Sequence, residues 1–243
     1  SRGVYFQYDD LGITRVGLAD LRGETREVVG GVGGASIGRP YPGASFSVAR
    51  NGTVAFTQAG TQRPAEVAVA TRRGRVTRLT ALNENLLGQR RLGAVEEIWY
   101  ESSVDGRRVQ GWIIKPPGFD PARKYPLVLE IHGGPFANYG PRFSFELQSY
   151  AAAGYVVLYT NPRGSTSYGA EFAGLIDKAY PGHDHDDLMD GIDAVIAQGD
   201  VDPHQLYMTG GSGGGVLTSR AIGMTDRFRA AVVQKPVINW YSF

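Results

Sequence analysis

The first part of the chain consists of short segments in which apolar and polar residues alternate. The clearest of these segments are residues 4–8, 54–56 and 67–69. Turn-forming residues separate them, for example at 20–23 and at Asn51-Gly52. Alternation with a period of two, bounded by such turns, predicts short strands joined by hairpins. Residues 1–97 are therefore predicted to form an all-β unit.

The same part of the chain contains a faint internal repeat with an offset of 50 or 51 residues. The repeated positions are Val4, Val16, Gly23 and Val28, which return as Val54, Val67, Gly74 and Leu79. A strand-rich period of ~40–50 residues is typical of β-propeller blades. Two consecutive hairpin sheets of another kind would give the same pattern. Two blades are also too few to close a ring, which has about 4–8 of them.

From Tyr125 onward, wholly apolar runs alternate with amphipathic segments of helical length. The predicted strands are residues 127–131, 155–159, 206–209 and 230–233, preceded by 108–114. The predicted helices are residues 143–153, 187–197 and 216–222. Apolar strands that alternate with helices predict a parallel sheet with helices on both faces. Residues 98–243 are therefore predicted to form an α/β unit.

The composition excludes several classes of protein and favours none. The chain has 243 residues, of which 42% are hydrophobic, and it has no cysteine, so disulfides, thiolate metal sites and cysteine nucleophiles are excluded. The formal net charge of +1 divides into +4 for residues 1–97 (13 Arg, 9 Asp or Glu) and −3 for the remainder (12 Lys or Arg, 15 Asp or Glu). Such small charges give no reason to expect nucleic acid or an anionic membrane as a partner.

The N-terminal residues and the lengths of the apolar runs indicate whether the chain was cut from a longer protein and whether it crosses a membrane. No apolar run approaches the ~20 residues that span a bilayer. The chain opens with Ser1-Arg2-Gly3, without an initiator Met or a signal-like stretch. We therefore expect a soluble piece of a longer protein, from either the cytoplasm or the periplasm.

The strongest chemical signal is Gly210-Gly211-Ser212-Gly213-Gly214, which fits the G-x-S-x-G nucleophile elbow. A predicted strand runs into this motif and a predicted helix follows it, as the elbow requires. The strained turn exposes the serine hydroxyl, and the amides of the helix N-terminus face the carbonyl that is attacked. A glycine-rich turn with an incidental serine is the alternative. A P-loop is disfavoured because the Lys-Ser/Thr ending is absent.

A second signal is His132-Gly133-Gly134-Pro135, directly after a predicted strand. It is similar to the HGG-type oxyanion motif of α/β-hydrolases, in which glycines let a backbone amide approach the substrate. Amides here and at Gly213 would then hold the oxyanion. A purely structural Gly-Gly-Pro turn is the alternative interpretation.

The base and the acid of a catalytic triad are absent from the expected positions. In α/β-hydrolases the order along the chain is Ser, then Asp or Glu, then His. All four histidines precede Ser212, and the only acid after it is Asp226, in a predicted loop. His204 stands eight residues upstream on the feeding strand, about 26 Å away at ~3.3 Å per residue. We therefore expect the chain to stop before its triad is complete.

The stretch His183-Asp184-His185-Asp186-Asp187 raises the question of a metal site. It lies just before a predicted helix, where carboxylates offset the positive end of the helix dipole. We therefore favour a structural role for these residues and expect neither a metal nor a cofactor.

Together these motifs resemble the prolyl oligopeptidase family of serine peptidases, on the branch of the acylaminoacyl peptidases and dipeptidyl aminopeptidases. The matching segments are 127–135 (LVLEIHGGP), 161–169 (NPRGSTSYG), Asp187-Leu188-Met189 with Asp193, 207–214 (YMTGGSGG) and 235–243 (KPVINWYSF). The resemblance covers nearly the whole chain. It implies that residues 1–97 are the last two or so blades of a β-propeller. It implies that residues 98–243 are the N-terminal part of an α/β-hydrolase domain.

The resemblance also implies roles for individual residues. Ser212 corresponds to the nucleophile, the Gly213 amide to one oxyanion donor, and the Gly133-Gly134 turn to the other side of that hole. The residues placed at the substrate pocket are Val237, Trp240, Phe243 and His132. His132 stands where some members have an oxyanion-hole Tyr, and Gly213 where many have a Tyr. Arg163 corresponds to a structural ion-pairing residue.

The function implied is hydrolysis of short peptides through an acyl-enzyme on Ser212. An esterase or amidase of small molecules is an alternative, because the same site hydrolyses both classes. A noncatalytic interaction module is another. The expected partners are a peptide substrate and the remainder of the same enzyme, with the triad His and Asp. By itself the chain is expected to be inactive and to associate with copies of itself through open sheet edges.

Overall fold

The computed structural model describes residues 3–34 and 36–242. The chain forms two compact units. Unit 1 contains residues 1–91 and 140–146, and unit 2 contains residues 92–139 and 147–243. Within the described residues, every helix is too short or too polar to cross a membrane.

Unit 1 is built on a seven-stranded antiparallel sheet, as the alternating pattern predicts. Its strands are β1 (Gly3–Asp10), β2 (Ile13–Asp20), β3 (Thr25–Val32), β4 (Phe46–Val48), β5 (Val54–Gly60), β6 (Arg63–Ala70) and β7 (Val76–Arg78), and a short helix α1 (Glu84–Leu87) follows. The order is β1-β2-β3-β5-β6-β7, with β4 on β5. The pairing of Val32 with Gln58 joins β3 to β5. The sheet therefore consists of two consecutive meanders, β1–β3 and β4–β7.

The internal repeat of the sequence corresponds to these two meanders. Val4 lies on β1 and Val54 on β5, the strands that occupy equivalent places. Gly23 and Gly74 lie in the hairpin turns after β2 and β6, with φ of +88° and +80°. Because few residues other than glycine adopt positive φ at low cost, both turns require glycine. The repeat therefore records a repeated structural unit.

Seven buried residues of β2, β3, β5 and β6 form the core of unit 1: Val16, Val29, Val32, Val54, Phe56, Ala68 and Ala70. Residues 140–146 complete this unit. The Arg142 guanidinium donates a hydrogen bond of 2.6 Å to the Thr14 hydroxyl. Arg39 Nε pairs with Glu146 at 2.9 Å. The sequence places residues 140–146 in the α/β part, because these polar contacts bridge more than a hundred positions and leave no local pattern.

Unit 2 is built on a six-stranded sheet. Its strands are β8 (Ala94–Glu101), β9 (Arg108–Lys115), β10 (Tyr125–Ile131), β11 (Val156–Asn161), β12 (Val201–Gly211) and β13 (Phe228–Gln234). The helices of the second half of the chain are α2 (Phe145–Ala152), α3 (Gly169–Gly174), α4 (Asp184–Ala197) and α5 (Gly213–Met224). The predicted apolar strands and amphipathic helices are therefore present, with bounds that differ by a few residues.

The sheet of unit 2 is mixed, whereas the sequence predicts a parallel one. Its order is β13-β12-β10-β11-β9-β8. The four strands β13, β12, β10 and β11 are parallel. Strands β8 and β9 form a hairpin that pairs antiparallel with β11, which explains the difference. Strand β11 is buried along its whole length, in agreement with its unbroken apolar sequence.

The two units divide between Arg91 and Leu92 rather than at residue 97. The reason is that β8 is paired with β9 along its full length, from Ala94 opposite Lys115 to Glu101 opposite Arg108. A division at residue 97 would cut this strand.

Candidate active site

Ser212 lies at the sharp turn between β12 and α5. Its backbone has φ +59° and ψ −117°, a strained conformation for a residue with a side chain. Its amide donates a 3.1 Å hydrogen bond to the carbonyl of Gln234 on β13, and the residue itself is exposed. Strand, strained turn and helix therefore present the serine at the carboxyl end of a central strand, where α/β sheets bind ligands.

The glycines next to Ser212 are required for space. A Cβ on Gly214 would collide with the carbonyl oxygen of Ile131, at the end of β10. A Cβ on Gly210 would lie 2.5 Å from the carbonyl oxygen of Gly214. The α5 N-terminus can therefore approach β10 and β12 closely because these positions have no side chain.

The Gly133-Gly134 turn lies directly against the residue that follows Ser212. A Cβ on Gly213 would lie 3.1 Å from both the N and the C atoms of Gly134. The parallel pairing of β10 with β12, which places Ile131 opposite Gly210, brings the two loops to the same sheet edge. The Gly133-Gly134 turn and the residue after Ser212 thus lie next to each other at this edge of the sheet.

The side chain of His132 is buried, with 5% of the residue exposed. Its Nδ1 lies 2.7 Å from the carbonyl oxygen of Gly133, and its Nε2 lies 2.9 Å from the Ser165 hydroxyl oxygen. Burial lowers the pKa of His132 to about 4, although the hydrogen bond to Gly133 opposes this. Sequence reasoning placed His132 at the substrate pocket, whereas its ring is enclosed between two loops.

The loop after β10 and the loop after β11 are joined by further hydrogen bonds. The Asn161 side chain accepts from the Tyr139 amide at 2.8 Å and donates to the Tyr139 carbonyl at 2.9 Å. The Asn138 side-chain amide donates to the Thr166 hydroxyl at 2.9 Å. The Thr166 amide donates to the Ala137 carbonyl at 2.9 Å. These contacts fix the shape of the loop that contains the Gly133-Gly134 turn.

Arg163 anchors the second of these loops to α4. Its Nε and Nη2 donate bidentately to the Asp187 carboxylate at 2.9 Å each, and its amide donates to the same group at 2.8 Å. Both side chains are buried, with 5% and 1% exposed. The hydrogen bonds and charge of Asp187 raise the pKa of Arg163. Arg163 thus makes the structural ion pair that the sequence analysis expects of it.

The acidic stretch at 183–187 forms the start of α4. The helix begins at Asp184 and has three acids in its first turn, where they complement the helix dipole. His183 Nδ1 pairs with Asp186 at 2.7 Å, and the Asp184 carboxylate accepts from the Gly182 amide at 2.7 Å. Within residues 3–34 and 36–242, no group of three potential ligands could hold a metal ion.

Of the predicted pocket residues, Val237 is half-buried and Trp240 is 53% exposed, whereas Phe243 lies outside the described residues. Tyr180 was not predicted. Its ring meets Trp240 edge-on at 6.4 Å, and its hydroxyl donates a 2.9 Å hydrogen bond to the Gly213 carbonyl. Burial and the charge of Asp184 raise the pKa of Tyr180 above its ordinary value, so it is protonated. No motif marks Tyr180, which reaches the elbow through the loop before α4.

A base for Ser212 is missing from the described part of the chain. His132 is held by Gly133 and Ser165, and His183 by Asp186. His204 lies exposed on β12, and His185 is buried on α4. Across residues 3–34 and 36–242, no histidine is hydrogen-bonded to the Ser212 hydroxyl. The described residues therefore bring together Ser212 and the Gly133-Gly134 turn, with none of these histidines bonded to the serine.

Comparison with known proteins places this site in context. A profile described as "Prolyl oligopeptidase family" matches residues 141–243. The chain is 43% identical over 166 residues to the uncharacterized peptidase YuxL of Bacillus subtilis, covering 68% of this chain and 25% of the relative. It is 27% identical over 244 residues to dipeptidyl-peptidase 5 of Porphyromonas gingivalis, covering 98% of this chain and 34% of the relative.

The structure is similar to that of an acylaminoacyl peptidase in complex with Z-Gly-Gly-Phe-chloromethyl ketone. The TM-score is 0.87 with 27% identity, and the match covers 100% of this chain and 37% of that one. The chain thus spans between 25% and 37% of the length of these three proteins.

Proposed function

The chain belongs to the prolyl oligopeptidase family, and on that premise we propose that it is the nucleophile-bearing part of a serine peptidase that hydrolyses short peptides. The observation that carries the proposal is the exposed, strained Ser212 with the Gly133-Gly134 turn packed against Gly213. A scaffold protein has no need of this arrangement, because a strained backbone costs ~1–3 kcal/mol and offers no packing in return.

In the proposed reaction the Ser212 hydroxyl attacks the scissile carbonyl. The amides of Gly213 and Gly134 donate hydrogen bonds to the oxyanion of the tetrahedral intermediate. The intermediate collapses to an acyl-enzyme as the amine leaves, and water then releases the acid. A serine hydroxyl is a weak nucleophile at its own pKa, so a base must take its proton. We place that histidine, and the acid that orients it, outside residues 1–243.

The substrate class is proposed from the relatives and from the surroundings of Ser212. The relatives are named as a dipeptidyl peptidase and an acylaminoacyl peptidase, and the latter binds a peptidyl chloromethyl ketone. Val237, Trp240 and Phe243 are proposed to form the apolar wall for the residue before the scissile bond. Tyr180 joins this wall, because it contacts both Trp240 and Gly213.

We further propose that unit 1 is a pair of β-propeller blades. The support is the repeat of about 50 residues together with two consecutive meanders, β1–β3 and β4–β7, in one antiparallel sheet. A complete propeller would restrict the site to short peptides.

The experiment is substrate profiling of the natural protein that carries this chain, on peptide anilides and on acyl esters. We expect turnover of peptide anilides, and a loss of about 10⁶-fold in kcat for Ser212→Ala. Ser47→Ala, at an exposed position of β4, is the matched control and is expected to retain full activity. Turnover of esters alone would support an esterase, and turnover of neither class would leave the peptidase proposal without basis.

The same proposal predicts that residues 1–243 alone react poorly with a fluorophosphonate serine probe. Fast, stoichiometric labelling of the monomeric chain at Ser212 would show that a base reaches the serine from within these residues. That result would contradict the proposed location of the triad histidine.

A further inference from the structure

We propose that unit 1 contains a binding site for a small multivalent anion, a molecule with two or more phosphate or carboxylate groups. The site is a cavity of about 290 Å³ whose lining includes Arg26, Arg50 and Arg72. The proposal does not depend on the proposed peptidase function. All of its residues belong to unit 1, and its test measures binding rather than hydrolysis.

One side of the cavity is a row of residues across β1, β2 and β3. Leu18 on β2 pairs with Tyr5 on β1 and with Arg26 on β3. Residues directly opposite one another on adjacent strands point to the same face of a sheet, so these three side chains lie side by side. Tyr5 and Leu18 are half-buried, whereas Arg26 is exposed. This row therefore gives the cavity an apolar part with a cation next to it.

The other side of the cavity consists of two turns of the second meander. The turn between β4 and β5 contributes Arg50, Asn51 and Gly52, and the turn between β6 and β7 contributes Arg72. A Cβ on Gly52 would lie 3.6 Å from Cδ of Arg72 and 3.7 Å from its Cβ and Cγ. The stem of Arg72 therefore lies over Gly52, which brings the two turns together.

Backbone hydrogen bonds close both of these turns. The Gly52 amide donates to the Ala49 carbonyl at 2.9 Å, and the Gly74 amide donates to the Thr71 carbonyl at 2.8 Å. Gly52 and Gly74 have φ of +82° and +80°, so each turn uses a glycine where the backbone needs positive φ. The backbone that carries the arginines of the second meander is therefore held without a ligand.

The charges at the cavity are uncompensated. Its lining contains three arginines and neither Asp nor Glu. Other arginines of unit 1 are paired, Arg15 with Glu27 at 2.8 Å and Arg78 with Glu84 at 2.7 Å. Among residues 3–34 and 36–242, by contrast, none of the three cavity guanidinium groups takes part in an ion pair or a hydrogen bond. Like charges around one cavity repel each other, and an anion between them relieves this repulsion.

The donors of the cavity indicate the chemistry of the ligand. A guanidinium binds phosphate or carboxylate through two parallel N–H···O bonds. Because the three groups come from three separate segments, a ligand with several anionic groups engages more of them than a single phosphate does. The Asn51 side-chain oxygen accepts from the Thr53 amide at 3.0 Å, which leaves its N–H groups for a ligand. The volume is close to the lower end of the ~300–1,000 Å³ of small-molecule sites, which favours a small ligand.

The variants change the charge of the cavity with little change of shape. Arg50→Gln and Arg72→Gln each remove one guanidinium and keep the Cβ and Cγ of the stem. Asn51→Asp is isosteric, keeps the oxygen that accepts from the Thr53 amide and adds a negative charge. Arg73→Gln is the matched control, because Arg73 lies exposed in the same turn as Arg72 but does not line the cavity.

The experiment is isothermal titration calorimetry of pyrophosphate, citrate and inorganic phosphate into the natural protein that carries this chain, at constant ionic strength. We expect one pyrophosphate or citrate per chain, bound ~10-fold more tightly than inorganic phosphate. Arg50→Gln and Arg72→Gln are each expected to weaken binding ~10-fold, and Asn51→Asp ~100-fold. Arg73→Gln is expected to stay within about twofold of the unmodified protein. Thermal unfolding of each variant checks that the fold is kept.

The outcomes decide between a site and a general attraction of charge. Tighter binding of pyrophosphate would identify a phosphate ligand and tighter binding of citrate a carboxylate, and either supports the proposal. No binding of either anion at millimolar concentration contradicts it, as does an equal loss in Arg73→Gln and Arg72→Gln. Because Asn51→Asp keeps the shape of its turn, unchanged affinity in this variant would overturn the proposal even if an arginine variant failed to fold.

Discussion

In unit 1 the turn glycines Gly23 and Gly74 have positive φ, and a Cβ on either would have no atom within 4 Å. In unit 2 the glycines around Ser212 are required because neighbouring backbone occupies the space of a side chain. One arginine from each unit shows the same difference between a local and a long-range environment. Arg22 lies exposed in a turn of unit 1, whereas Arg163 of unit 2 is buried against Asp187. These turns of unit 1 thus depend on local conformation, and the candidate site of unit 2 depends on contacts distant in sequence.

The largest difference is expected from removing a buried arginine. Arg163→Met leaves the Asp187 carboxylate buried without its cation, so we expect unit 2 to lose ~3–5 kcal/mol of unfolding free energy. Arg22→Met, the matched exposed change in unit 1, is expected to stay within ~0.5 kcal/mol. Denaturant unfolding followed by amide exchange in each unit measures both. Equal losses of unfolding free energy in the two variants would show that the buried ion pair contributes no more to stability than an exposed arginine.

This contrast also explains how much of the molecule could be predicted from the sequence. The elbow at Ser212 and the turn at Gly133-Gly134 were found because each motif is contiguous and follows a recognisable strand. The strands of unit 1 were found because alternation and turns act over a few residues. In both cases the sequence pattern and the structure that it predicts extend over the same few consecutive residues.

What the sequence did not reveal depends on contacts between distant segments. Tyr180 reaches Gly213 from a loop without a motif, and the pairing of His132 with Ser165 spans 33 positions. The antiparallel hairpin of β8 and β9 at the sheet edge is also a matter of pairing, because an apolar strand does not encode the direction of its neighbour. The sequence therefore predicts the turn that presents Ser212, but it does not reveal the residues that surround this turn.

An intermediate effect is expected from adding one methyl group to a glycine in each unit. Gly214→Ala places a Cβ against the Ile131 carbonyl, and rigid backbone on both sides cannot yield, so we expect ~3 kcal/mol of destabilisation. Gly23→Ala meets no atom, and only its φ of +88° is strained, so we expect ~1 kcal/mol. Thermal unfolding checks the stability. A larger loss of stability for Gly23→Ala than for Gly214→Ala would show that backbone strain costs more here than the steric collision.

The smallest effect is expected from a buried carboxylate of unit 1. Glu66 on β6 is 1% exposed and accepts hydrogen bonds from the Thr80 hydroxyl, the Leu82 amide and Asn83. Burial by itself raises the pKa of Glu66, but these hydrogen bonds outweigh it and lower the pKa below the ordinary value of 4.5.

The sign of the pH dependence follows from this lowered pKa. As pH falls below about 4.5, the unfolded chain takes up the Glu66 proton before the folded chain does, so the stability from this group is present above that pH and lost below it. Glu66→Gln, which keeps the shape without the charge, is expected to cost ~1 kcal/mol at pH 7 and to flatten the acid loss. Amide exchange on β6 between pH 7 and 3 measures both quantities. A variant with the same acid dependence as the unmodified chain would mean that other acids of unit 1, and not Glu66, set the loss of stability at low pH.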